Sequence, residues 1–484
     1  MHLSPFSSLD ELARALAQGQ CSALELADSY LDRIRRANPA LHAFINVDEA
    51  SVHSQARASD LRRAAGHSLG PLEGLPIAIK DLFEIEGQKT SAGSAAWADR
   101  RSNVTAAVVE KLRAAGMVIL GKTHMVEFAF GGWGTNPLVG TPRNPWDLSV
   151  RLIPGGSSSG SGVAVASGLA PAAIGSDTGG SVRIPAALVG ITGLKTSTGL
   201  ISLYGVIPLS PTLDSAGPMT RTVADSAMLT QALAGRDMRD PATLGSPPVN
   251  YRAELEAGSN LSGMRIVSLP EDQFPSAVAE DVLASYRRAL ELMRDLGATL
   301  LERRFPFDFA DLMRRNGQLI SAEAWSQWGE IASNEQALLG DAVRARITAG
   351  KAIEARQYIA ALAHHRQACA QWQDWMRDAD ALLTPTLPMV ACPLDLVDES
   401  ATPLSSFTRA GNYLGGSALS LPAGLSSQGL PIGVQLIGKR FDEGSLIRIG
   451  HGFQLASDWH RLTPNLDSLL EAPGSVGKTE RANP

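Results

Sequence analysis

The chain has 484 residues, of which 44% are hydrophobic and 19% charged, with a formal net charge of −6. This is the balance of an ordinary soluble globular protein with a large core, and no Lys/Arg run marks a nucleic-acid face. No apolar run nears the roughly 20 residues that cross a bilayer, and the N-terminus lacks the basic start and apolar block of a signal peptide. Three cysteines, Cys21, Cys369 and Cys392, stand far apart without a CxxC or Cys/His spacing, so reduced thiols in a cytoplasmic protein without a metal site are expected.

Residues Leu9–Ala37 read as two amphipathic helices, with Ser8 as N-cap, Glu11 three residues on, and Gly19 as the break. They are packing elements that offer a homodimer face. In Leu72–Asp81 (LEGLPIAIKD), Leu75, Ile77 and Ile79 alternate with Pro76 and Ala78 in a strand that ends at Lys80-Asp81. Val104–Ala115 is helix-like and Met117–Gly121 strand-like, an alternation that favours a sheet covered by helices. A Gly-rich loop, Phe130–Pro137, precedes PGGSSSGSGVAVASGLAPAAIGSDTGGSVRIP at Pro154–Pro185. There two Gly/Ser clusters bracket Val163–Ile174, a small-residue run suited to a helix or a buried strand. After a loop or linker over 231–261, Ser262–Leu269, Ala279–Gly297 and Ala298–Arg303 form a β-α-β pattern. Residues 310–380 are helical and hold four of the eight tryptophans, Trp325, Trp328, Trp372 and Trp375, each pair on one face. Core packing is the first reading of those faces, and an aromatic wall over a pocket the second. Residues 417–437 suit two short strands joined by a turn, and 471–484 a disordered tail.

Chemistry concentrates in Asp177-Thr178-Gly179-Gly180-Ser181. Small residues ahead of a hydroxyl can turn several N–H groups into one concavity, an oxyanion hole, with Ser181 beside it as nucleophile. A serine needs a base, and no histidine lies between 125 and 363. Lys80, at the end of an apolar strand, is the best candidate because burial lowers a lysine pKa. Gly156–Gly160 also fits G-x-S-x-G, which would make Ser158 the nucleophile with His365, His451 or His460 as base, but no Val/Ile strand runs into it.

These residues fall within motifs that resemble the amidase signature family of serine hydrolases: GLPIAIKD around Lys80, PGGSSSGSGVAVASG around Ser157, GSDTGGSVRIPA around Ser181, then GLKTSTGLIS, Asn412-Tyr413-Leu414-Gly415 and GLPIGVQLIG. The resemblance implies one α/β domain over 1–484, a large mixed twisted sheet sandwiched between helices. Within it, 1–70 would supply N-terminal helices, 71–230 the catalytic core, and 262–470 a C-terminal α/β part whose helical region 310–380 shapes the pocket. It further implies a Ser-Ser-Lys triad: Lys80 as base, Ser157 as a bridging serine on a cis peptide, and Ser181 as nucleophile 24 residues later. Thr178, Gly179, Gly180 and Ser181 would hold the oxyanion, with Ser158 and Asp177 in support and Arg183 structural. Gly131, Gly132 and Trp133 are expected at the substrate. Relatives often carry a cation where Leu152 stands.

The expected activity is hydrolysis of a carboxamide, anilide or carbamate C–N bond through an acyl-serine, without cofactor or metal. The expected partner is a small amide or carbamate, an aryl one among the candidates, with neither nucleic acid nor membrane. The alternative is one component of a tRNA-dependent amidotransferase, its amidase chain, which usually reads SIRQPA where this chain has SVRIPA, with Ile184 after Arg183.

Overall fold

The computed structural model describes residues 4–275 and 277–470. The expected disordered tail at 471–484 lies outside the described residues. One sheet of eleven strands carries the fold. In chain order they are β1 (Phe44–Val47), β2 (Pro76–Lys80), β3 (Val118–Thr123), β4 (Ala172–Asp177), β5 (Thr192–Lys195), β6 (Ser215–Thr220), β7 (Arg265–Ser268), β8 (Thr299–Glu302), β9 (Ala381–Pro385), β10 (Ala418–Leu425) and β11 (Pro431–Ile437). Their spatial order is β1-β3-β2-β4-β6-β5-β10-β11-β9-β7-β8. β2 runs parallel to β3 and β4, and β7 to β8 and β9, while the other pairs are antiparallel. The architecture is the expected α/β one, a mixed sheet with helices packed on it.

Local chemistry explains the elements. Both N-terminal helices, Leu9–Ala17 and Ala23–Leu41, begin with capping boxes, Ser8 with Glu11 and Ser22 with Glu25. Each box satisfies two otherwise orphaned N–H groups. The first helix is tied to the helix Val223–Leu233, where Asp225 accepts from Leu9 N at 3.0 Å. The run Val163–Ile174 is both things its composition allowed. Its first half completes the helix Ser159–Ala166 and its second half enters β4, both wholly buried. Small side chains let that helix pack closely against β2, β3 and β4.

A second apolar layer lines β5, β9, β10 and β11 through Leu194, Leu383, Leu419, Leu421, Val434 and Leu436. Tyr286, Ile447 and Phe453 from the helices Glu280–Asp295 and Glu443–Leu455 cover it. Over 310–380 the chain forms the helices Phe309–Ser333, Asp341–Ala349 and Ala355–Trp375. The tryptophans there belong to packing. Trp372 and Trp375 stack at 5.4 Å beside Phe305, and Trp328 stacks on Phe128 at 5.0 Å. Leu152 is buried in an apolar cluster with Ile153 and Leu188.

The register of β2 against β4 sets up the site. Ile79 pairs with Ile174 in parallel, so Lys80 and Asp177 leave the sheet at the same edge. Carboxyl ends of parallel strands are where open α/β sheets offer a crevice.

Candidate active site

Lys80 is completely buried at the end of β2. Its Nζ donates to Ser157 Oγ at 2.7 Å and to Ser176 Oγ at 2.8 Å. Burial depresses its pKa to about 7, against a smaller opposing pull from Asp177 and Asp214. An amine in that state is half neutral at physiological pH and able to take a proton. Ser157 follows a cis peptide bond from Gly156. Ser158, next in the chain, donates its N–H to Ser181 O at 3.2 Å, which draws the two serine loops together. The Ser158 hydroxyl is turned to β4, where it donates to Ser176 O at 3.2 Å and receives Ser176 N–H at 3.3 Å. Gly175 makes this approach possible, since a Cβ there would lie 2.7 Å from Ser158 Oγ. The elbow reading of Ser158 gains no base: it has no histidine partner, and His365 faces Tyr413 O at 2.8 Å instead.

The loop after β4 is fixed by a buried ion pair. Asp177 takes Arg183 Nε and Nη2, each at 3.0 Å, together with the N–H of Gly180 at 2.7 Å and of Val182 at 3.1 Å. Burial alone would raise the Asp177 carboxyl, but Arg183, Lys195 and Asn412 hold it well below the usual carboxylate range. Arg183 spends its other donors on Thr408 O, Gln435 Oε1 and Asn412 Oδ1. This corrects one expectation. Gly180 N–H is already spent on Asp177, so it is not free for an oxyanion. The N–H groups of Thr178, Gly179 and Ser181 carry no hydrogen bond among the described residues. Thr178 is itself anchored, its hydroxyl donating to Asp214 at 2.5 Å.

Ser181, Thr178 and Gly179 open onto a cavity of about 660 Å³, closed on other sides by Ile184, Arg346 and Arg409. Gly131 and Gly132 line it as well. Trp133 does not: its buried indole donates to Asp398 O and Ala401 O behind the cavity wall. The tryptophans of the helical region are also absent from the lining. Sequence reasoning misses Ser176, Asp214, Asn412 and Arg409 as parts of this site. Asn412 lies within a family motif without a role of its own, and the Ser-Asp pair before Thr178 is the one local signal for Ser176. Among the described residues no cluster of three or more His, Cys, Asp or Glu side chains could hold a metal ion. No helix among them is long and apolar enough to cross a membrane.

The arrangement suits attack by a hydroxyl on an acyl group. A buried amine touches one serine, a second serine faces open space, and free N–H groups lie beside it. The family model Amidase matches residues 25–447. The chain is 39% identical over 477 residues to the A subunit of glutamyl-tRNA(Gln) amidotransferase from Chloroflexus aggregans, covering 93% of this chain and 96% of that one. Among solved structures it resembles the native peptide amidase of Stenotrophomonas maltophilia, at a TM-score of 0.82 and 32% identity over 93% and 96% of the two chains. It also resembles the A subunit of glutamyl-tRNA(Gln) amidotransferase from Thermotoga maritima, at a TM-score of 0.77 and 32% identity over 93% and 95%.

These likenesses correct the partner expectation of a chain that takes only a small amide or carbamate and has nothing to do with nucleic acid. Relatives matched end to end are named as one component of an enzyme of glutamyl-tRNA(Gln). The expectation rested on net charge and on the missing Lys/Arg run. Charge describes a single chain, however, and one component of an assembly can leave a polyanion to another component's surface.

Proposed function

The chain belongs to the Amidase family, and from that premise we propose that it cleaves a carboxamide C–N bond through an acyl-enzyme on Ser181, as the amidase component of an amidotransferase-like assembly. The observation that carries the chemistry is the buried Lys80 amine, 2.7 Å from Ser157 Oγ, with a pKa near 7. Neutral Lys80 takes the Ser157 proton while Ser157 takes that of Ser181, whose Oγ bonds to the acyl carbon. The carbonyl oxygen becomes an oxyanion facing the N–H groups of Thr178, Gly179 and Ser181, each worth about 3–4 kcal/mol to the transition state. The proton returns through Ser157 to the leaving nitrogen, the C–N bond breaks, and water releases the acid by the same route reversed. In an amidotransferase setting the amine released is ammonia from a primary carboxamide such as the glutamine side chain. The end-to-end likeness to the amidotransferase relatives supports this placement.

A second reading, hydrolysis without onward transfer, is favoured by one residue. Ile184 lines the cavity where the amidase chains of amidotransferases usually carry glutamine, which makes that wall apolar. The likeness to peptide amidase points the same way.

The test is ammonia or amine release from glutamine, a peptide amide and an aryl amide by wild type and Ser181→Ala. It is run on the chain alone and on whatever assembly a tagged copy brings from its source cells. Release that survives Ser181→Ala overturns the acyl-serine reading. Glutamine turnover that needs co-purified partner chains supports the assembly, and full turnover of simple amides by the chain alone supports the second reading.

A further inference from the structure

The charges around the cavity are not matched alike. Arg346 is paired, its Nη2 2.6 Å from Glu399 Oε2 and its Nη1 donating to Phe130 O at 2.8 Å. Asp341 stands exposed on the first turn of the helix Asp341–Ala349, where water solvates it. Arg409 differs from both. It is half-buried on the helix Thr408–Tyr413, and Nη1 donates to Met313 O at 3.1 Å. Nε is shut off from solvent without a partner, whereas Nη2 is not shut off, and Nη1 alone donates to a described residue. No carboxylate lies within 4.0 Å of it among them. Burial, with the Arg346 charge nearby, lowers its pKa to about 10, so it remains a cation at neutral pH.

Two glycines make room for this side chain. A Cβ at Gly317, inside the long helix Phe309–Ser333, would stand 3.2 Å from Nη1, and one at Gly179 would stand 3.4 Å from Cγ. Glycine is a poor choice inside a helix unless space demands it. Asn316 Oδ1, also unpartnered, lies against the same Gly179. An amide oxygen can accept a hydrogen bond from Nε, but it cannot neutralise the charge.

A desolvated cation without a counter-charge is costly, and it becomes favourable when a ligand brings the anion. Nη2, the guanidinium nitrogen that is not shut off, is the donor a carboxylate in the cavity can reach, through a charge-assisted hydrogen bond. We propose that Arg409 seats a carboxylate of the substrate, so that the preferred substrates are amides carrying a negatively charged group. The proposal rests on Ser181 acting in this same cavity. It adds a specificity-determining residue that leaves the attack itself to the serines and Lys80.

The experiment uses two matched pairs, glutaramate with glutaramide and terephthalamate with terephthalamide. The members of each pair differ only by a carboxylate in place of a carboxamide. Binding to the full chain as Ser181→Ala is measured by calorimetry, and ammonia release is measured with the serine intact. The expected result is at least tenfold tighter binding of the anionic member in one pair or both, seen in turnover chiefly as a lower KM. Arg409→Met brings that preference to within twofold, Arg409→Lys retains part of it, and added salt weakens it. Equal binding within the pairs, binding of neither carboxylate, a preference that survives Arg409→Met, or an equal loss of turnover on both members would each overturn it. Failure of the acyl-serine reading looks different: ammonia release would persist in Ser181→Ala whatever the charge preference.

Discussion

Two arginines flank the loop that carries Ser181, and they are treated in opposite ways. Arg183, under the loop, is wholly buried and satisfied by Asp177, Asn412, Gln435 and the Thr408 carbonyl. Arg409, over the cavity, has one carbonyl and no carboxylate. Both lie on or against the helix Thr408–Tyr413, so the same short element serves both. A buried ion pair with every lone pair matched fixes geometry, whereas a cation left open is poised for a ligand. The floor of the site is closed electrostatically and the wall is not. The lesson is that burial alone does not distinguish scaffold from binding group; the state of the partners does.

The largest effect should come from removing the group that both regions serve. Ser181→Ala is expected to lower amide turnover by roughly 10⁶-fold while leaving the denaturation midpoint near wild type, because Ser181 lines the open cavity. Turnover within tenfold of wild type would remove Ser181 from the chemistry. Lys80→Met is expected to cost on the order of 10²–10⁴-fold. The pH profile carries its sign. The amine must be neutral, so kcat/KM should climb about tenfold per pH unit below about 7 and level off above it. Stability bears the same signature. The unfolded chain binds the Lys80 proton more tightly than the folded one between about pH 7 and 10.5. This group therefore makes stability rise with pH in that window, by up to about 1.4 kcal/mol per pH unit, and Lys80→Met should flatten the slope. A profile unchanged by Lys80→Met would place the titrating group elsewhere.

Next comes the floor itself. Asp177→Asn keeps the shape but strands Arg183 without its counter-charge, and breaking such a pair costs about 3–5 kcal/mol. Urea denaturation should show that loss, accompanied by lower turnover because Gly180 and Val182 lose their anchor. A loss below about 1 kcal/mol would mean that Asn412 and Gln435 hold Arg183 unaided, and the contrast between the two arginines would blur.

The reach of the sequence follows the range of the interactions. Lys80 and Ser181 could be singled out because strand-end patterning and Gly/Ser density are local, whereas Ser157, one of three adjacent serines, took its role only from the family resemblance. The start of the first helix was legible at Ser8 and Glu11 for the same reason, since a capping box lies within four residues. The second partner of Lys80, Ser176, was not, because it becomes a neighbour only when β2 and β4 pair in parallel. Asp214 reaches Thr178 across the antiparallel β4–β6 pairing, from 36 residues away. Gly180 misled because the dihedral preference of glycine does not say where its N–H points, and Asp177 three residues earlier had already claimed it. The paired tryptophans pack, as the first reading of their spacing had it, but helical spacing gives a stripe and not what the stripe packs on, here Phe305 and Phe128. Arg409 lies three residues before the motif that begins at Asn412, and its meaning depends on the absence of a carboxylate, which no stretch of sequence displays.

The smallest predicted effect is the one that isolates the contrast. Arg409→Met removes a charge with no anionic partner and keeps most of the apolar stem, so urea denaturation should find stability within about 1 kcal/mol of wild type, or slightly above it. The Met313 carbonyl loses one hydrogen bond, worth about 1 kcal/mol, and the desolvation cost of the guanidinium disappears at the same time. Asp177→Asn, measured beside it, should lose several-fold more. If Arg409→Met instead destabilises as strongly as Asp177→Asn, then the guanidinium is part of the scaffold, its free edge is filled within the folded chain, and floor and wall are built alike. If the two variants separate as expected, the unpaired arginine is carried without helping the fold, and a substrate anion is what gives it a role.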